Sequence, residues 1–248
     1  MSLMTYQRPV AVQTADLTKR YGDHVALSKV SVTVPAGSVT GLIGPQRSGK
    51  TTMLNLLTGL ARPTSGDAEL LGCPLRLRPR AAAFRVGAMV DPMGFYPTLS
   101  GQRNLDLLCV LGGLEASEAS RWIDHLELTS VAGQPFRSYS QGTRQRLAIA
   151  SALLGAPDLI ILDEPANGLD VNGVRLLNQI VRTQAESGAA VLLTTHLLLQ
   201  AEQVCDRLIM LAAGSCVYEG NTADFTDKYG PLADAESLED LFLRLLGG

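Results

Sequence analysis

The segment Gly44-Pro45-Gln46-Arg47-Ser48-Gly49-Lys50-Thr51 constrains this chain more than any other. It fits the pattern G-x-x-x-x-G-K-S/T, and its surroundings matter as much as its letters. A mostly apolar run of strand length, Val39 to Ile43, leads into it, and Lys50 to Leu60 reads as a helix behind it. In that order the three pieces make an anion cradle: successive backbone N–H groups curl around a phosphate, and the helix adds its positive N-terminal dipole. Lys50 supplies a point charge for the outer phosphates, and the Thr51 hydroxyl stands where a Mg2+ ligand is wanted. The expected nucleotide-phosphate site is therefore Gly44 to Thr51 with the following Thr52. Gln46 and Arg47 are bulky for such a loop. If position 47 is left-handed, an arginine there costs roughly 1–2 kcal/mol, yet the loop keeps its N–H donors.

A second site of chemistry closes the apolar run Leu159 to Leu162, which ends in Asp163-Glu164-Pro165. Carboxylates there emerge at the C-terminal edge of a strand, where α/β sheets bind ligands. One carboxylate in that place holds Mg2+, and its neighbour orients an attacking water. Around these two sites the pattern is α/β. Val30, Val32 and Val34 alternate with polar residues as in a half-buried strand, and Pro35-Ala36-Gly37 turns the chain. Short strands are expected near Ala68 to Leu71, Val86 to Val90, Ala190 to Thr194 and Arg207 to Leu211, with a helix from about Val174 to Ser187. A mostly helical stretch runs from about Ser100, a plausible N-cap, to Gly155, with Leu105, Leu108 and Leu111 at helical spacing. The reading is one α/β core with a helical insertion.

Composition removes several function classes. A net charge of −3 over 248 residues gives no nucleic-acid surface. The four cysteines, Cys73, Cys109, Cys205 and Cys216, lack metal or disulfide spacing and read as free thiols. No apolar run reaches the ~18 residues of a membrane helix, and the first residues lack the basic head and apolar core of a secretory signal.

Five motifs occur together: the glycine loop, Ser140-Gln141-Gly142 opening a helix, Asp163-Glu164-Pro165, Gly168-Leu169-Asp170, and a lone His196 after a strand. From about Val10 to Gly220 the chain resembles the ATP-binding subunits of ABC transporters. The run Val86 to Ser100 is similar to the drug and antibiotic-export branch, including bacitracin- and lantibiotic-immunity ATPases. The resemblance implies a P-loop NTPase core of ABC ATPase type, with an N-terminal antiparallel β region and a helical subdomain. It implies one nucleotide-binding domain over residues 1–248, with the helical subdomain at about 92–155 and a C-terminal helical tail at about 221–248. In that tail Leu238, Leu241, Phe242 and Leu245 mark one apolar face.

The resemblance also assigns roles. Tyr21 stacks on adenine. Ser140, Gln141, Gly142 and Thr143 form the signature that caps the γ-phosphate of ATP held by a second subunit, and Asn167, Gly168, Leu169 and Asp170 form the loop that crosses between subunits. Glu164 polarises the attacking water, His196 contacts the γ-phosphate, and Thr51 and Asp163 hold Mg2+. Asp91 stands where the family usually carries a glutamine that touches Mg2+, so a steeper Mg2+ dependence is expected. Gln141 and Thr143 replace a glycine and a glutamine, while Ser140 and Gly142 are kept. ATP and Mg2+ are the implied cofactors. The implied partners are a second ATP-binding subunit, most simply a homodimer, and a separate integral-membrane permease, which places the chain on the cytoplasmic face of the membrane. A soluble, non-transport ABC ATPase and a catalytically weak partner subunit are the alternatives.

Overall fold

Strands buried at every position, Val39–Ile43, Leu159–Leu162 and Ala190–Thr194, form the centre of the fold. The computed structural model describes residues 9–77, 85–90, 94–196 and 198–230. From the N-terminus come β1 (Val10–Tyr21), β2 (His24–Val30), β3 (Thr33–Pro35) and β4 (Val39–Ile43), then α1 (Lys50–Thr58), β5 (Ser65–Leu70), β6 (Cys73–Pro74) and β7 (Val86–Met89). The helical stretch contains α2 (Gly101–Gly112), α3 (Ser117–His125) and α4 (Gln141–Leu153). The chain continues through β8 (Leu159–Leu162), α5 (Val171–Glu186), β9 (Ala190–Thr194), α6 (Leu198–Val204), β10 (Arg207–Ala212), β11 (Ser215–Asn221) and α7 (Thr222–Tyr229).

Six strands form the central sheet in the order β11-β10-β4-β9-β8-β7. From β10 to β7 every pairing is parallel, and only β11 runs antiparallel at one edge. Both faces are buried, as a parallel sheet requires. Val39, Ile43, Ile160, Leu162, Val191, Leu193, Leu208 and Met210 point to the side that also holds Leu105, Trp122 and Leu147 of the helical stretch. Their neighbours Leu42, Leu159, Ile161, Leu192, Ile209 and Leu211 point to the other side, against Met53, Leu54 and Leu57 of α1 and against β1 and β2. A second, antiparallel sheet orders β2-β1-β5-β6, with β3 pairing β1. The architecture is the expected mixed α/β one with an antiparallel N-terminal region.

Two expectations change in detail. The Val30 to Val34 alternation is not one strand: it spans the end of β2 and the start of β3. The buried Thr14 hydroxyl occupies the break, donating to Val30 O at 3.0 Å and accepting from Val32 N at 2.9 Å, beside the backbone bond from Thr14 N to Val32 O at 2.9 Å. Of the tail expected over 221–248, the described part is the end of β11 and α7, whose Phe225 is fully buried; Leu238, Leu241, Phe242 and Leu245 lie outside the described residues. Ser100 does cap α2, accepting from Arg103 N at 3.2 Å. The four cysteines are free. Among the described residues, no helix is long and apolar enough to cross a membrane.

Candidate functional site

Parallel pairing places β9 between β4 and β8, so the chain segments that leave these three strands open on one edge of the sheet. Gly44 follows β4, Asp163 follows β8, and Thr195-His196 follow β9. Three stretches distant in sequence thereby meet at the edge where α/β sheets take ligands.

The phosphate loop is closed by its own lysine. Lys50 Nζ donates to Gly44 O at 2.7 Å and to Pro45 O at 3.0 Å, and Ser48 N donates to Pro45 O at 3.2 Å. Burial pushes the Lys50 ammonium below its ordinary pKa, opposed by the charges of Glu164 and Asp163. An arriving phosphate adds negative charge that favours the protonated amine. Gln46 and Arg47 are exposed, and Arg47 sits at φ +64°, in the left-handed region. Gly44 leaves no room for a side chain, because a Cβ would run into Leu211 O and the Ser48 side chain. A cavity of about 320 Å³ lies over the loop, lined by Tyr21, His24, Arg47, Lys50, Thr51 and Thr52. The Ser48 side chain, which also borders it, keeps a buried Oγ with no hydrogen-bond partner. Tyr21 is half exposed, with Lys19 Nζ 4.7 Å from its ring centroid.

The carboxylates are held by side chains from other elements. Thr194, fully buried at the end of β9, donates its hydroxyl to Asp163 Oδ1 at 2.6 Å and accepts from Glu164 N at 2.7 Å. Glu164 has φ +47°, rare for a residue with a Cβ. Gln145 of α4 donates from Nε2 to Glu164 O at 3.0 Å, and His196 Nδ1 donates to Glu164 Oε2 at 2.8 Å. The expected pair Glu164 and His196 is thus brought together.

The signature residues gather elsewhere. Ser140 caps α4, accepting from Thr143 N at 3.2 Å, with its Oγ 2.7 Å from Thr143 Oγ1. Gly142 lies against the carbonyl of Gly168, where a Cβ would stand 2.7 Å from that oxygen, and Gln141 packs on Gly168 in turn. Asp170 caps α5 by accepting from Gly173 N at 2.8 Å, and Arg146 NH2 lies 3.6 Å from the same carboxylate oxygen. Asn167 N donates to Glu164 O at 3.1 Å, and Leu169 N to Ala166 O at 3.2 Å. Residues 140–143 and 167–170 thus pack against each other through Gln141, Gly142 and Gly168. Asp91 lies outside the described residues.

A profile of the ABC transporter family matches residues 27–167 of this arrangement. The chain belongs to that family. It is 33% identical to the bacitracin transport ATP-binding protein BcrA of Enterococcus faecalis, over 90% of this chain and 72% of that protein. It is 35% identical to the Nod factor export ATP-binding protein I of Cupriavidus metallidurans, over 87% of this chain and 73% of that one. Among solved structures, a dimeric ATP-binding cassette in a post-hydrolysis state with ADP and Pi superposes with a TM-score of 0.75 at 25% identity, covering 85% of this chain and 98% of that one. The chain is an ATP-binding, ATP-hydrolysing subunit of an ABC transporter, and cassettes of this family form dimers and work with a membrane permease.

Three residues of the ABC site escaped the reading of the sequence. His24, across the β1–β2 turn from Tyr21, lines the cavity. Thr194 holds the Asp163 carboxylate and the Glu164 N–H, and Gln145 holds the Glu164 carbonyl. The only signal for them was a polar residue at the end of an apolar strand and another on the buried side of a helix.

Proposed function

We propose that two copies of this chain bind and hydrolyse ATP on the cytoplasmic face of the membrane, driving export of a drug, antibiotic or lipid-like compound through a separate integral-membrane permease. Residues 1–248 act as one nucleotide-binding domain, with a helical subdomain at about 92–155 and a tail at about 221–248. The observation that carries the reading is the meeting of the phosphate loop with the Asp163–Glu164–His196 cluster on one sheet edge. Two relatives are named for bacitracin transport and for Nod factor export, which supports an export role.

In this reading the loop from Gly44 to Thr52 holds the phosphates and Tyr21 takes the base. As water attacks the γ-phosphorus and the bond to ADP breaks, Glu164 accepts the water's proton while His196 steadies its carboxylate. Mg2+, when bound, neutralises charge on the phosphates. Thr51 and Asp163 are its protein ligands, with Asp91 a third candidate, and one oxygen of Asp163 is already oriented by Thr194. Ser140 and Gly142 serve the ATP of the partner chain, and residues 167–170 face the same seam. A groove of about 370 Å³ between β7 and α2, bordered by the exposed Tyr96, Leu108 and Leu111, suits a cytoplasmic segment of the permease.

The decisive experiment is Glu164→Gln. Turnover is expected to fall about 10²–10⁴-fold with ATP affinity kept. Turnover at the wild-type rate would remove Glu164 from the role of base.

A further inference from the structure

Glu164 occupies a backbone conformation that a residue with a Cβ adopts only when its surroundings impose it: φ is +47°. Both peptide groups on either side of this angle are held. Its N–H is bonded to the Thr194 hydroxyl at 2.7 Å. Its C=O accepts from Asn167 N at 3.1 Å and from the side-chain amide of Gln145 at 3.0 Å. Two of these holders come from residues near the site, on β9 and on the loop that follows Glu164. Gln145 does not. It is buried on α4, the helix whose N-cap is Ser140, and lies five residues after that cap. A helix is stiff over that distance, about 7.5 Å at 1.5 Å per residue. The element that presents the signature surface at one end therefore grips the main chain of the catalytic carboxylate about a turn and a half further along.

We propose that Gln145 is a positioning residue for hydrolysis. Its amide holds the left-handed turn that aims the Glu164 carboxylate, so that seating of the signature helix and aim of the base are one event. The proposal rests on the reading of Glu164 as the base. It also links the two ATP sites of a dimer: whatever Ser140 touches on the partner bears, through α4, on the base of its own chain. Gln145 makes no contact with nucleotide in this account and acts only through Glu164.

The test compares the full chain with Gln145→Met, which keeps length and apolar bulk but has no donor, and with Gln145→Glu, which turns the donor into an acceptor of the same shape. Steady-state turnover, affinity for Mg2+-ATP and the ATP-dependent dimer population on a sizing column are measured beside Glu164→Gln. The expected result is a kcat lowered tenfold or more in both variants, with KM and ATP affinity within twofold. ATP-bound dimer should accumulate as it does in Glu164→Gln, because the nucleotide that joins the chains is no longer consumed. A purely structural role gives the opposite signature, with dimer and affinity lost along with turnover, and that result overturns the proposal. So does turnover within twofold of wild type in either variant, or failure of both variants to fold. If Glu164→Gln itself keeps wild-type turnover, the reading of the base fails first. If Glu164→Gln is inactive and the Gln145 variants are normal, only the present proposal falls.

Discussion

Two loops open on the same edge of the central sheet and are built on opposite plans. The phosphate loop works through its backbone. Its bulky members Gln46 and Arg47 face solvent, and it is closed by Lys50 reaching back to Gly44 O and Pro45 O. The Asp163–Glu164 loop works through its side chains, steadied from other elements: Thr194 of β9 holds Asp163, His196 from beyond β9 holds the Glu164 carboxylate, and Gln145 of α4 holds the Glu164 peptide carbonyl. Both loops bend one residue with a Cβ into the left-handed region, Arg47 at +64° and Glu164 at +47°. The first loop needs a path for its main chain and is indifferent to the side chains that leave it. The second needs particular atoms at particular places, so its supporting residues matter as much as the carboxylates.

Among substitutions that leave both carboxylates in place, the largest effect is expected where the second plan is broken at one atom. Thr194→Val keeps the shape of a fully buried side chain and deletes the hydroxyl that joins Asp163 Oδ1 to Glu164 N. Turnover should fall about 10–100-fold, the usual cost of losing a residue that orients a ligand or base. Unfolding free energy should fall by about 1–3 kcal/mol for the unpaired buried groups. Steady-state ATPase assays and urea unfolding read the two effects separately. Turnover unchanged by this substitution would place the carboxylates under the control of their own backbone, and the contrast between the loops would disappear.

The difference between the plans also explains what was legible in the sequence. The phosphate loop is contiguous, and its strand, glycines, lysine and helix all fall within Val39 to Leu60, so its position followed from local chemistry. Asp163 and Glu164 were legible because an apolar strand ends in them, and His196 because the family motif places it. Thr194 and Gln145 were not, since their partners lie 31 and 19 residues away and nothing local marks a threonine or glutamine as a holder of someone else's peptide group. The same limit applies to the fold. The separate strands and the helical stretch followed from periodicity, whereas the break between β2 and β3 depends on Thr14, which is 18 residues from Val32.

A backbone-built loop still has one point where atoms matter, and Gly44→Ala finds it. The new methyl group meets Leu211 O and the Ser48 side chain, neither of which has free space to move into. Overpacking of this kind costs about 1–3 kcal/mol, so urea unfolding should show a lowered midpoint, and displaced N–H groups should weaken ATP binding. If the variant is as stable as wild type and binds ATP normally, the loop is looser than its geometry indicates, and the plan assigned to it is wrong.

The smallest effect should come from Arg47→Gly, and it sharpens the comparison most. An arginine at φ +64° bears roughly 1–2 kcal/mol of backbone strain. A glycine there relieves it but gives the unfolded chain more freedom, worth about 0.4–1 kcal/mol in the other direction. The net change is a gain of about 0–1.6 kcal/mol, visible as at most a small rise in thermal midpoint. Because the phosphate donors are main-chain N–H groups and Lys50, ATP affinity should stay within threefold. Arg47 also borders the cavity over the loop, so the opposite outcome is informative. A tenfold loss of affinity without loss of stability would mean that its guanidinium binds nucleotide directly, and the phosphate loop would then belong with the carboxylate loop among sites made of side chains.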